Sequence, residues 1–422
     1  MPGRWLIGAL VAFTMFAGGA WIGVTLGALA GPTGPPGTAT TAAPQSDAAE
    51  GSSPSGLAPS PPGRGGSPAA TPTPVPTPTA TPLSTPTPAP TPVLVPAPLT
   101  GLPVSEALAR RPVVAVMVDD HPNARPQSGF ADAGIVWQAP AEGGVPRYML
   151  LVQDGDPPSV GPVRSARQYF IDWAAEWQAV YVHAGGSPQA LRTLRSADGR
   201  GGRVYDADEF RWGGRYLWRT TDRVAPHNVY TDGERLRALA MQVGARAADR
   251  EPVWRFEPDA PLGERPEGGR IEVPYAYNRV VYRYVRSSNR YARAVSGESR
   301  QVDAGTGAVV APKNVVVLFV SFAPLQDGSN KNRLEADNVG RGVALIATNG
   351  RTVEGTWRKR SADAPTLLYG PDGEPARLTA GQTFVQVVPL GTRVVVRDGS
   401  VPVERPRSAG AGDARNRGPL EQ

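Results

Sequence analysis

The chain of 422 residues has no cysteine, only three lysines (Lys313, Lys331, Lys359) and only three histidines (His121, His183, His227). Without cysteine there are no disulfides, no thiolate metal site, no cysteine nucleophile and no lipid-modified cysteine. The absence is compatible with an oxidising compartment. With so few lysines, the net charge of +6 rests almost wholly on arginine. No clustered basic run interleaved with aromatics is present, so nucleic acid is not an expected partner. Neither HxH nor HExxH spacing occurs, and no metal or cofactor is expected.

Proline and glycine, by contrast, are abundant, at 46 and 49 residues, with the prolines concentrated before residue 100. Residues 5–30 carry no charge and follow Arg4. This run is long enough for the ~20 residues a bilayer crossing takes. Ala28-Leu29-Ala30 also fits a small-x-small cleavage site, but a signal h-region is shorter. We expect a retained membrane anchor, with the folded part outside the cytoplasm. Residues 31–98 lack apolar content and end in a Thr-Pro repeat, which predicts a disordered, extended linker. Residues 401–422 read as a frayed tail.

Between these ends the sequence predicts an α+β protein. An N-terminal α/β domain is expected over 99–250 and a mainly antiparallel β domain over 251–400. Strands are expected at 113–118, 135–138, 147–152 and 179–183, because each is a short run rich in apolar, β-branched residues. Ser187-Pro188 is a helix start signal. Thr231 or Asp232 starts a further helix. Asn349-Gly350 predicts a hairpin between strands at 343–348 and 351–358.

The stretch Gly161-Pro162-Val163-Arg164-Ser165-Ala166-Arg167 leads into a run of helical spacing, Tyr169, Phe170, Trp173 and Trp177. Ser165 reads as the N-cap. Arg164 and Arg167 would then flank a helix N-terminus whose free N–H groups favour an anion. Arg125 and Arg147 also sit beside proline or glycine-rich turns, and guanidinium forks match phosphate or carboxylate. Asp119, Glu142 and Asp172 could equally neutralise these arginines as ion pairs. His183, Gly185, Gly186, Ser187, His227 and Asn228 lie in polar loops and complete the candidate ligand-binding set. Ser187 with His183 four residues earlier could pair a nucleophile with a base, but a capping role is the better reading. Trp212, Trp218 and Trp357 are either carbohydrate platforms or core.

Several blocks in order then resemble a known family. They include Thr100-Gly101-Leu102-Pro103, Arg111-Pro112-Val113 through Asp119, Ala124-Arg125-Pro126-Gln127-Ser128-Gly129 and Glu142-Gly143-Gly144. The Gly161–Arg167 stretch, His183-Ala184-Gly185-Gly186-Ser187 and Ala225-Pro226-His227-Asn228 continue the series. Gly340-Arg341-Gly342, Glu354-Gly355-Thr356-Trp357 and Gly381-Gln382-Thr383 follow in the C-terminal half. Over about residues 100–398 the chain resembles the DUF3048 family, YerB-like extracytoplasmic lipoproteins of unknown function. It departs in lacking a lipobox cysteine, in Asp120 where the family has asparagine, and in His121. The resemblance implies an envelope location and no reaction. The expected function is binding of an anionic or glycan envelope component. The alternative is an envelope-polymer transferase or hydrolase using Asp119 and Glu142 as acid and base.

Overall fold

In a computed structural model, the residues described are 93–196, 203–247, 251–399 and 401–403. The expected anchor at 5–30 lies outside them, as does the linker up to residue 92 and the tail from 404. Among the described residues, no helix is long and apolar enough to cross a membrane.

The central feature is one eleven-stranded sheet to which both halves of the chain contribute. Its order is Leu367–Tyr369, Arg351–Lys359, Gly340–Thr348, Asn314–Pro324, Thr383–Pro389, Ile135–Pro140, Pro146–Val152, Val114–Asp119, Val180–His183 and Tyr205–Asp208. Leu334–Asp337 pairs off this path with Asn314–Pro324. The seam between the halves is parallel, with Thr383 opposite Ile135 and Gln386 opposite Gln138. Strands on both sides of residue 250 therefore share one sheet.

Why these strands form is visible in their composition. Val114–Asp119 is buried along its whole length. Val114, Val116 and Val118 join one core, and Ala115 and Met117 join the other. A strand covered on both faces reads as a continuous apolar run rather than an alternation. Over the first face lies a five-stranded sheet that contributes Ile271, Val273, Tyr282 and Tyr284. Leu236 and Leu239 of the helix Gly233–Gln242 pack on the same face. Across the second face runs the helix Gln168–Ala175, which buries Tyr169, Phe170 and Trp173. Trp173 stacks on Trp137 of the sheet with ring centroids 4.6 Å apart.

A buried ion pair ties this helix to the second half of the chain. Lys359 Nζ donates to Glu176 Oε1 at 2.7 Å and to the Ala364 carbonyl at 2.6 Å. Asp172, one turn earlier, is pushed up to about 6 by burial, which outweighs the nearby charge of Lys359.

Several expectations need correction. The α+β character holds, and the strands of the first half are mixed in direction. Val114–Asp119, Val180–His183 and Tyr205–Asp208 run parallel, but the hairpin Ile135–Pro140 with Pro146–Val152 is antiparallel and sits beside them. Folded structure starts before residue 99, because Leu94–Pro96 pairs with Pro103–Ser105 and both Ala97 and Leu99 are buried. At the other end, Val401–Val403 is a strand paired with Val395–Asp398 rather than tail. Ser165 is not a helix cap. The helix begins at Gln168 with Arg167 at the N-cap position. Backbone bridges from Val160 to Thr231, Gly161 to Ser128, Val163 to Val118 and Ala166 to Gly186 hold residues 160–166 extended past Ser165. Elsewhere the local signals hold. The Ser187 hydroxyl accepts from Ala190 N at 3.2 Å, Asp232 caps its helix, and Asn349-Gly350 turns the hairpin with both residues at positive φ.

Candidate functional site

The extended stretch 160–166 and the loop 184–187 run side by side at the ends of the parallel strands. Ala166 N donates to the Gly185 carbonyl and Ala184 N to the Arg164 carbonyl. Between this pair and the segment 208–229 lies a cavity of about 450 Å³. Its walls include Arg164, Ser165, Gly185, Gly186, Arg195, Asp208, Phe210, Arg219 and Pro226. Open spaces at strand carboxyl ends are where α/β sheets present binding groups. Gly185 is required here by its backbone, at φ +62°, and by the Phe210 ring, which a Cβ would meet at 3.1 Å.

Only four of the expected ligand residues line this cavity: Arg164, Ser165, Gly185 and Gly186. The structure also separates the two arginines that were expected to act at one point. Arg164 Nε lies 2.8 Å from Asp119 Oδ2, an ion pair without the alignment of a hydrogen bond. Arg167 turns the other way and pairs with Glu142 Oε1. Arg147 donates to Glu142 Oε2 at 3.1 Å and to the Ser165 carbonyl at 2.7 Å. Glu142 thus occupies the place between two buried guanidiniums. Burial lowers both arginines to about 10, helped at Arg147 by the like charge of Arg164. Such groups are costly to leave without a counter-charge.

Asp119 is buried and holds three partners. His227 Nδ1 lies 2.7 Å from Oδ2, Arg164 shares that oxygen, and His121 N donates to Oδ1 at 3.0 Å. The His121 and His227 rings stack with centroids 5.0 Å apart. Pairing Nδ1 with a carboxylate sets the ring's orientation and leaves Nε2 as its other polar atom. Arg125 belongs to a separate buried network. It pairs with Asp120, which also accepts from Gln138 Nε2 at 2.6 Å and Asn278 Nδ2 at 2.7 Å. Burial raises the Asp120 carboxyl, and the buried Arg293 opposes that rise.

The remaining expected residues have structural partners. His183 is fully buried, with Nδ1 2.8 Å from the Gly185 carbonyl and Nε2 2.8 Å from Asp206 Oδ1. Ser187 caps its helix, and Asn228 Oδ1 accepts from Arg219 at 3.1 Å. Trp357 is core, whereas Trp212 lines a neighbouring cavity and Trp218 carries the Arg235 guanidinium on its ring. Among the described residues, no group of three or more His, Asp or Glu side chains is arranged to hold a metal ion.

Arg195, Arg219, Asp208 and Phe210 were not anticipated. Arg219 forms a bidentate pair with Glu209, at 3.1 and 2.9 Å. Arg195 ends the helix Pro188–Arg195, is exposed and has no ion pair among the described residues. The signal that could have found Asp208 and Phe210 is the Asp-Glu-Phe-Arg-Trp run at 208–212, where aromatic and charged residues alternate next to glycines.

A mixed-sheet α+β body with an arginine-walled cavity beside a buried His–Asp pair is the class this structure defines. The sequence matches the family described as "Protein of unknown function (DUF3048) N-terminal domain" over residues 99–246 and its C-terminal domain over 271–385. YerB of Bacillus subtilis (strain 168), named as a lipoprotein, is 33% identical over 300 residues, covering 69% of this chain and 86% of YerB. The crystal structure of the YerB protein from Bacillus subtilis is similar with a TM-score of 0.61 and 29% identity, covering 69% of this chain and 96% of that chain. The chain belongs to the DUF3048 family, as its ordered motifs implied. The two matched segments fall either side of residue 250, yet their strands lie in one sheet.

Proposed function

We propose that this protein is held at the outer face of a membrane and binds an anionic envelope component in the cavity walled by Arg164, Arg195 and Arg219. The observation that carries the reading is Arg195, an exposed guanidinium on the cavity wall without an ion pair among the described residues. The location draws on the apolar run at 5–30 and on the lipoprotein name of YerB. The enzyme reading with Asp119 and Glu142 as acid and base has less support. Neither carboxylate lines the cavity, and arginines pair with both.

A charge-assisted hydrogen bond from Arg195 to a phosphate contributes about 1.5–3 kcal/mol. Its loss corresponds to a tenfold or greater weakening, at about 1.4 kcal/mol per decade. Calorimetric titration of the full chain and of Arg195→Ala with N-acetylglucosamine 1-phosphate tests this. The expected result is binding by the wild type that is at least tenfold weaker in the variant. Absence of binding, or equal affinity in both proteins, refutes the proposal.

A further inference from the structure

The cavity of the proposed site continues beyond Phe210. A second cavity of about 650 Å³ adjoins it and shares Arg195, Asp208 and Phe210 with it. The shared wall is a built ridge. Asp208 Oδ1 accepts from Gly185 N at 2.9 Å and from Phe210 N at 3.3 Å, which fastens the glycine loop to the start of the short helix Glu209–Trp212. Phe210 stands on that ridge with 77% of its surface exposed. Its ring is an apolar face lying between two openings, so a ligand that spans both cavities would lie across it.

The far side of the second cavity is aromatic and polar together. Trp212 contributes its indole, with the Arg211 guanidinium 4.9 Å above the ring. The Trp212 Nε1 atom is buried and has no hydrogen-bond partner among the described residues. A buried indole N–H usually finds an acceptor. Asp206 adds a partly exposed carboxylate, held from behind by His183 Nε2 at 2.8 Å. Flat apolar faces edged by carboxylate and guanidinium groups match a pyranose ring, which has an apolar C–H face and a rim of hydroxyls that both donate and accept.

We propose that the two cavities are subsites of one groove for an acidic oligosaccharide. The charged group sits among Arg164, Arg195 and Arg219, and a sugar ring further along the chain lies on Phe210, against the edge formed by Arg211 and Trp212. This inference rests on the anion-binding reading of the first cavity. A small free anion would leave the exposed Phe210 ring uncovered. A neutral glycan would leave Arg195, which has no ion pair among the described residues, without a counter-charge.

The test is calorimetric titration of the full chain with inorganic phosphate, N-acetylglucosamine 1-phosphate and N,N′-diacetylchitobiose 1-phosphate. The disaccharide phosphate is expected to bind at least tenfold more tightly than the monosaccharide phosphate. In Arg211→Ala, an exposed position, and in Trp212→Leu, that ratio is expected to fall below threefold. The ratio is the readout because a general loss of folded protein lowers the signal for both ligands together. Equal affinity for the two sugar phosphates overturns the groove while leaving the anion site standing. A tenfold ratio that survives both substitutions also overturns it. If none of the three probes binds, the anion-binding reading and the groove fail together.

Discussion

Replacing Glu142 with glutamine keeps the side chain's shape and removes the charge shared by Arg147 and Arg167, with Arg333 also nearby. Arg147 and Arg167 have side chains 10% and 6% exposed, and Glu142 is 20% exposed. Breaking a buried pair costs about 3–5 kcal/mol, because the surviving charge is left without compensation. Glu142 compensates Arg147 and Arg167 and also lies 3.9 Å from Arg333 Nε, which argues for the upper end. Its partial exposure, together with the carbonyls of Ser165 and Ala166 that these arginines also reach, argues for the lower end. We therefore expect Glu142→Gln to lower stability by about 3 kcal/mol. At about 2–4 °C per kcal/mol, the melting temperature should fall by roughly 6–12 °C. Thermal unfolding followed by circular dichroism on the full chain reads this directly. Phosphate affinity should change by less than twofold, since Glu142 does not line the cavity. An unchanged melting temperature with tighter anion binding would show that Arg147 and Arg167 form an open ligand site, and would refute the structural role derived for them.

Asp119→Asn should lower stability by about 2–4 kcal/mol, since it removes the charge facing Arg164 and His227, and should strengthen phosphate binding by freeing Arg164 toward the cavity; thermal unfolding and titration on one variant check both. Asp172 has a carboxyl raised to about 6 against an ordinary 3.8, so the folded state binds the proton more tightly than the unfolded chain between those values. Its contribution to stability therefore rises as pH falls from about 6 to about 4, by about 3 kcal/mol for a two-unit shift. Asp172→Asn should accordingly be most favourable relative to wild type above pH 6 and lose that advantage by pH 4, as chemical denaturation at several pH values would reveal; a pH-independent difference contradicts the assignment. Lys359→Met takes the cation from buried Glu176 and should cost about 3–5 kcal/mol, whereas the double change with Glu176→Leu should recover most of it, by equilibrium unfolding of both variants.

Much of the local structure was legible because its causes are local. Val114–Asp119 and Asn314–Pro324 announce themselves as β-branched apolar runs, Ser187-Pro188 as a helix start, and Asn349-Gly350 as a hairpin. The single sheet was not legible. The pairing of Thr383 with Ile135 joins residues far apart in the chain, and no local pattern encodes that partner. Ser165 had the right residue type for a cap, but long-range backbone bridges at Val160, Gly161, Val163 and Ala166 hold the chain extended there and move the helix start to Gln168. The site was half legible. Arg164, Ser165, Gly185 and Gly186 stand out through their glycine and proline neighbours. Arg195, by contrast, has the sequence signature of any solvated arginine at a helix end, and only the fold turns it toward Phe210 and Arg219.

The most direct test of the central claim is a crystal structure of the protein with N-acetylglucosamine 1-phosphate at saturating concentration. The account predicts the phosphate in the cavity between the 160–166 stretch and the 184–187 loop, with its oxygens about 3 Å from the guanidiniums of Arg195 and Arg164 or Arg219. A ligand bound elsewhere on the molecule, or a cavity left without it at saturation, would contradict the account.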